Sequence, residues 1–550
     1  MNQTLTKNSE VQSTLYRKNI PSTGPADLNE AAFEPEAIRA ALRDINHPLY
    51  VIEKGGRIGI VSAPSDEATF REQVGGHFIT GIPALPIETL GDVGFKKTYR
   101  VRCAYYAGSM ANGIASVDMV VALGKAGLLG SFGAAGLVRS RLESGILAIK
   151  AALPDGPYAS NLIHSPSEDA MERNAVEIYL QQGVNVVEAS AFIDLTPSIV
   201  YFRAAGLSLS SEGEIQIANH IIAKLSRVEV ATKFMQPPPE NMLSQLVSEG
   251  RITQQQADLA KRVPMADDIT VEADSGGHTD NRPLVCLLPT MLALRDEIQA
   301  KYNYPVPVRI GAAGGISTPA SALAAFMMGA AYVVTGSVNQ SCMEAGASEH
   351  TRQTLAQAGM ADVAMAPSAD MFEMGVKVQV LKRGTLFPMR AQKLYELYSH
   401  YDSIEQIPAE ELEKLENQVF KREIESIWED TVKFFNERDP AQIERAQNNP
   451  KRKMALVFRW YLGLASRWSN SGEKGREMDY QVWCGPSMGS FNDWVHGTYL
   501  AEPKNRHVAD VAMQILTGAA CQYRIQSLKL QGLQIPAELE QYYPVEPINL

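Results

Sequence analysis

Cysteine is scarce in this chain, and the five present, Cys103, Cys286, Cys342, Cys484 and Cys521, are scattered with no Cys-x-x-Cys pair. An odd, dispersed set indicates neither a disulfide framework nor a zinc site, and it fits a reducing cytoplasm. Long apolar runs are also missing. The most apolar stretch, Ala322 to Val334, is too short to cross a bilayer and contains Gly329. The first 30 residues show no apolar core after a basic start, so no signal peptide is read and a disordered segment is expected. No concentrated basic face offsets the formal charge of −11. Lys451, Arg452 and Lys453 make one short cluster that reads as a solvated helix start. A general nucleic-acid or anionic-membrane binder is thereby excluded, because phosphates would be repelled.

What is present is a 550-residue chain with 45% hydrophobic and 21% charged residues, enough for a large core and two or three domains. Pro48 to Glu53 and Arg57 to Ser62 flank Lys54, Gly55 and Gly56 as a hairpin, part of a β-rich unit over 31–95. From residue 96 the pattern becomes short apolar runs alternating with amphipathic helices, as in a parallel α/β fold. Strands are expected at Val101–Met110, Leu128–Phe132, Tyr158–Ile163, Val184–Glu188, Val228–Lys233, Ile269–Asp274, Val308–Gly311 and Ala331–Thr335. Helical pieces are expected from Glu188 to Leu225. Eight strand–helix units in about 250 residues are the size of a (β/α)8 barrel, here 96–345. A doubly wound open sheet is the competing layout.

Pro237, Pro238 and Pro239 introduce two helices within 236–265, read as an insertion after the fifth strand and hence as a cap on the functional face. The extension 346–550 is mainly helical by pattern and carries all five tryptophans, Trp428, Trp460, Trp468, Trp483 and Trp494. Such aromatic concentration usually marks core.

The stretch Ile269–Pro283 holds the sharpest local signal. Ile269, Val271 and Ala273 alternate with polar residues as in a strand, which breaks at Gly276 and Gly277 and presents His278. Imidazole, with an ordinary pKa of about 6.5, transfers protons near neutrality. In a barrel, ligands bind where strands end, and phosphate sits in the loops after strands seven and eight. Gly314, Gly315 and Ile316 follow strand seven and open a helix at Pro319; Gly336 and Ser337 follow strand eight. Ala111, Asn112 and Gly113 after strand one, Asn161, Glu188 and Lys233 supply polar groups for a flat heteroaromatic ring, with Lys233 placed to stabilise an anionic reduced flavin. FMN meets both demands. A structural polar pair remains the other reading of Asn161 and Glu188.

Met110–Gly113, the Asn161 strand, Glu272–His278, Ala313–Ile316 and Gly336–Ser337 resemble the FMN barrel of nitronate monooxygenases and of FMN-dependent enoyl-acyl-carrier-protein reductases. With Glu272–Pro283, Asp370–Gln379 and Cys484–Trp494 added, the chain is similar to the trans-acting enoyl reductase subunit of bacterial polyunsaturated fatty acid synthases, the PfaD family. The resemblance implies reduction of a 2-enoyl thioester on an acyl carrier protein, with NADPH as hydride donor, FMN as cofactor and His278 as the catalytic residue. It leaves open a homodimer, a nitronate oxidase using His278 as base, and a non-catalytic flavoprotein scaffold. The extension is expected to wall the acyl entrance, with Phe491–Trp494 near it.

Overall fold

A computed structural model describes residues 31–166 and 169–548. The disorder expected of 1–30 lies outside the described residues. The chain divides into one unit ending at Leu85 and a second from Pro86 to Leu550, so 86–95 go with the second unit and the barrel and extension share one body.

In the first unit, β1 (Leu49–Lys54) pairs antiparallel with β2 (Arg57–Ser62) and β3 (His77–Ile82). The β1–β2 turn is Gly55-Gly56 with φ of 62° and 75°. Both lie in the left-handed region, which gives the turn the twist that matches its strands. Tyr50 stacks on Phe70 at 4.1 Å to close a small core.

In the second unit the strands are β4 (Tyr105–Ala107), β5 (Leu129–Phe132), β6 (Ala159–Ile163) and β7 (Val186–Ser190). After a short hairpin, β8 (Leu207–Leu209) and β9 (Ile215–Ile217), come β10 (His220–Leu225) and β11 (Asp268–Glu272). Then follow β12 (Gly277–His278), β13 (Arg309–Ala313), β14 (Val333–Thr335), β15 (Val363–Pro367) and β16 (Lys377–Leu381). A closed parallel barrel runs in the order β10-β11-β13-β14-β4-β5-β6-β7, so the open-sheet layout is excluded. Every residue of β4, β5, β7 and β13 is buried, as strands covered on both faces must be.

Where β11 and β13 begin, Arg309 Nη2 donates to Asp268 Oδ2 at 2.6 Å, Tyr99 donates to the same oxygen, and Arg203 Nη1 holds Asp267 at 2.8 Å. These buried charges brace the barrel's N-terminal face, away from the strand ends where ligands bind.

Two expectations are corrected. The predicted fifth strand, Val228–Lys233, is the helix Val228–Met235, which buries Val230, Ala231, Phe234 and Met235. That spacing is helical, and Val-x-Val alternation over three residues cannot outvote it. The fifth barrel strand is β10, inside a region expected to be helical, because a short, fully buried run such as Ile221–Ala223 has no period to read. The insertion helices, Glu240–Ser248 and Gln254–Ala260, therefore follow a helix and lead into β11. Helix-to-strand connections lie on the barrel's N-terminal face, so the insertion is not a cap on the functional face.

The extension is mainly helical but contributes β15 and β16, and β16 pairs with both β15 and β12. The strand bearing His278 is thus stitched into a sheet of the extension. Helix Pro450–Ser471 centres a core with Phe387, Leu394, Phe420 and Ile427. Trp428, Trp460, Trp468 and Trp483 pack against that core, and Trp494 Nε1 donates to the Tyr542 carbonyl at 2.8 Å. Among the described residues no helix is long and apolar enough to cross a membrane, and no cluster of side chains is suited to a metal ion.

Candidate active site

A cavity of about 500 Å3 lies over the strand ends, roofed by the extension. Its floor includes Ala111 and Asn112 after β4, Asn161 on β6, Lys224 on β10, Glu272 on β11, and the run Gly276–His278. Its roof includes Asp370, Leu456, Trp460, Leu462, Ser466 and Trp483. Of the residues singled out from sequence, Ala111, Asn112, Asn161, Gly276, Gly277 and His278 therefore meet in one space.

His278 Nε2 stands 3.2 Å from Asp370 Oδ1, and each side chain is a little over a quarter exposed. Burial alone would lower the imidazole's pKa, but the Asp370 carboxylate more than offsets it, and the pKa is raised above the usual value. For Asp370, burial opposes ionisation and the His278 charge outweighs it, bringing the carboxyl down to about 2. The pair is a histidine–carboxylate dyad in which each partner favours the other's charged form, contributed half by the barrel and half by the extension.

Beside it, Lys224 Nζ lies 3.2 Å from Glu272 Oε1 and 3.7 Å from Glu188 Oε1. Burial disfavours its charge, yet the Glu272 and Glu188 carboxylates raise its pKa above the usual value. Glu188 is fully buried, does not face the cavity directly, and accepts from the Ser109 N–H at 2.8 Å, which fixes the loop after β4. Asn161 Nδ2 donates to the Glu188 carbonyl at 3.1 Å and to Ser190 Oγ at 2.9 Å. Asn112, with φ of 58°, donates from Nδ2 to Ser466 Oγ at 2.6 Å, so its amide is committed to the roof.

Lys233 is misplaced by the sequence reading. It sits on the helix Val228–Met235, half exposed, paired with Asp194 at 2.7 Å and outside the cavity. Lys224, on the fifth barrel strand, lines the cavity instead. A lone lysine inside Ile221–Leu225 is the signal that could have found it. Asp370 has no local signal, since its meaning depends on β12 pairing with β16.

Gly113, Gly314, Gly315, Ile316, Gly336 and Ser337 also lie off the cavity wall. Gly113 has a packing role, because the backbone at Gly346 approaches its carbonyl closely: a Cβ at Gly346 would fall 2.1 Å away. The other five form a separate cradle. Among the described residues the N–H groups of Gly315, Ile316 and Ser337 have no acceptor, although backbone donors in such places are nearly always paired. Space beside Gly315 and Gly336 is open, and Ser317 Oγ is fully buried without a partner. Unpaired donors and free space suit a phosphate group. The cradle adjoins the cavity: Gly485 N donates to Ser337 Oγ at 3.0 Å, and a Cβ on Gly485 would fall 2.8 Å from Gly276 N. Glycine at 276 is likewise demanded by this close packing on Cys484.

Comparison with known proteins places these features in a family. The nitronate monooxygenase family profile matches residues 104–406. The N-terminal domain of fatty acid synthase subunit PfaD matches 26–68, and the inserted helical domain of acyl-carrier-protein S-malonyltransferase matches 401–480. The chain is 47% identical over 531 residues to a polyunsaturated fatty acid synthase subunit from Thraustochytrium sp., covering 95% of this chain and 35% of that protein. It is 47% identical over 434 residues to polyketide biosynthesis protein PksE of Bacillus subtilis, covering 79% and 56% respectively. It thus spans only part of the curated relatives it matches. The crystal structure of the enoyl reductase domain of MlnA, from the macrolactin biosynthesis cluster of Bacillus amyloliquefaciens, superposes with a TM-score of 0.76 at 39% identity. That match covers 82% of this chain and 100% of the domain.

Proposed function

Because the chain belongs to the PfaD branch of the nitronate monooxygenase family, we propose that it is an FMN-dependent, NADPH-using enoyl reductase. Its substrate is a 2-enoyl thioester on an acyl carrier protein, reduced in trans during polyunsaturated fatty acid or polyketide synthesis. The observation that carries this reading is the His278–Asp370 dyad on the wall of a cavity with a polar barrel floor and a roof that includes Leu456, Trp460, Leu462 and Trp483.

Gly314, Gly315, Ile316, Gly336 and Ser337 would hold the FMN phosphate, and Ala111, Asn112, Asn161, Gly276 and Gly277 would border its ring. Bound FMN supplies hydride transfer from NADPH to the β-carbon of the enoyl group. His278, kept protonated by Asp370, donates to the thioester carbonyl or delivers the α-proton as enolate charge develops, a contribution of roughly 10²–10⁴-fold. Lys224, held by Glu272 and Glu188, would take the part expected of Lys233 and stabilise negative charge on the ring. Leu456, Trp460, Leu462 and Trp483 offer an acyl chain a dry wall.

Nitronate oxidation is the second reading, on the match to that family. It needs His278 as a base, whereas the raised pKa favours the acid form. Anaerobic stopped-flow spectroscopy tests the reductase reading: NADPH should bleach the flavin, and crotonyl thioester should restore it. His278→Ala should leave the first step intact and slow the second at least about tenfold. Equal loss in both steps contradicts the role.

A further inference from the structure

The outer end of the cavity carries positive charge that the reduction does not use. Phe434, on the helix Ile424–Arg438, lines the cavity and is 36% exposed, so it marks an opening to solvent. Two guanidiniums from different helices lie over its ring. Arg438 Cζ is 5.3 Å from the centroid, and Arg467 Cζ, from the helix Pro450–Ser471, is 5.8 Å away. Both arginines line the cavity. Partial burial, followed by the like charges of Arg438 and of Arg141 on the helix Arg139–Ala152, pushes the Arg467 pKa below its ordinary value. Arg467 has no ion-pair partner among the described residues, and the Asp430 carboxylate, which also lines the cavity, is taken by Arg422 at 2.6 Å. In a chain of net charge −11 Arg467 is thus a cation at the cavity mouth without a described carboxylate beside it, and an anion placed there would meet an unneutralised guanidinium.

Building on the reductase reading, we propose that Arg467, beside Arg438, binds a phosphate ester at the cavity mouth. The guanidinium fork matches phosphate oxygens, and the aromatic face keeps the fork oriented. The phosphodiester of a pantetheine arm suits the position. Such an arm has its thioester at one end, its phosphate at the other and uncharged amides between, so an inserted acyl group leaves the phosphate outside. The phosphate of a nicotinamide nucleotide is the other source of the same chemistry.

Binding to the full-length holoprotein separates these, read from the fluorescence of Trp460 and its neighbours without any turnover. The wild-type chain should bind 4′-phosphopantetheine about tenfold or more tighter than pantetheine. Arg467→Gln should bring that ratio toward one, and Arg467→Lys, which keeps the charge, should retain part of it. If the ratio that collapses is NADP+ over NAD+, the clamp stands and its phosphate is the nucleotide's. Ratios equal in wild type and Arg467→Gln for both pairs overturn the proposal. A chain that shows the Arg467-dependent preference but never reduces a thioester keeps the clamp and loses the reductase reading.

Discussion

Asp370→Asn isolates the electrostatic half of the dyad, because the substitution keeps shape and removes charge. At 3.2 Å, with an effective dielectric constant near 20, the attraction between imidazolium and carboxylate is about 5 kcal/mol. Solvent reaches both side chains, and the opposing charge of Lys224 works against the imidazolium, so a net of about 2 kcal/mol is the better figure. Losing that attraction moves the His278 titration to lower pH. The sign follows from the wild-type direction. The pKa is raised, so the acid form persists above the unperturbed value and activity dependent on it falls only as pH rises through the raised pKa. In Asp370→Asn, burial and the Lys224 charge remain, opposed only by the smaller effect of the Glu272 carboxylate, so the falling limb appears at lower pH. The assay is the pH profile of flavin reoxidation by crotonyl thioester, with NADPH reduction measured alongside. At pH 7.5 the variant should reoxidise roughly tenfold slower and recover toward pH 5.5. An unchanged limb, or a rate loss that acid does not recover, refutes the argument and leaves Asp370 a packing role.

Two further substitutions test the floor and the cradle. Lys224→Met leaves the fully buried Glu188 beside Glu272 without its cation, and should cost about 3 kcal/mol in denaturant unfolding. Lys233→Met breaks only an exposed pair with Asp194 and should cost less than about 1 kcal/mol, so comparable losses would sink the assignment of the site to Lys224. Gly315→Val introduces a β-branched side chain at φ of 76°, a strain of about 1–2 kcal/mol, and fills the open side of the cradle. The purified variant should be folded and colourless, and an FMN spectrum at one flavin per chain would contradict the cradle.

Much of this protein is legible in its residues because the relevant information is local. Strand–turn–helix alternation carries the barrel, since each unit announces itself through an apolar run and a glycine break. His278 is visible for the same reason: the period-2 run from Ile269 ends at two glycines. The glycine breaks at Gly314–Gly315 and Gly336 are equally local, and the space beside Gly315 and Gly336 is open. Where a run is too short and too buried to have a period, the reading fails. Ile221–Ala223 reads as helix and Val228–Lys233 as strand, and with that exchange Lys233 displaces Lys224 and the insertion moves to the wrong face.

Other features exist only in three dimensions. Asp370 meets His278 across 91 intervening residues because β12 pairs with β16, and no pattern within either segment specifies that register. Asn112 spends its amide on Ser466, 354 positions away. Glycine at 276 is required by the approach of Cys484 and Gly485. The tryptophans read as core from sequence; Trp494 is buried, whereas Trp428, Trp460, Trp468 and Trp483 are partly buried against the core, and Trp460 and Trp483 also face the cavity. Amphipathic periodicity reports that a helix buries one face, and only the packed fold decides what that face meets.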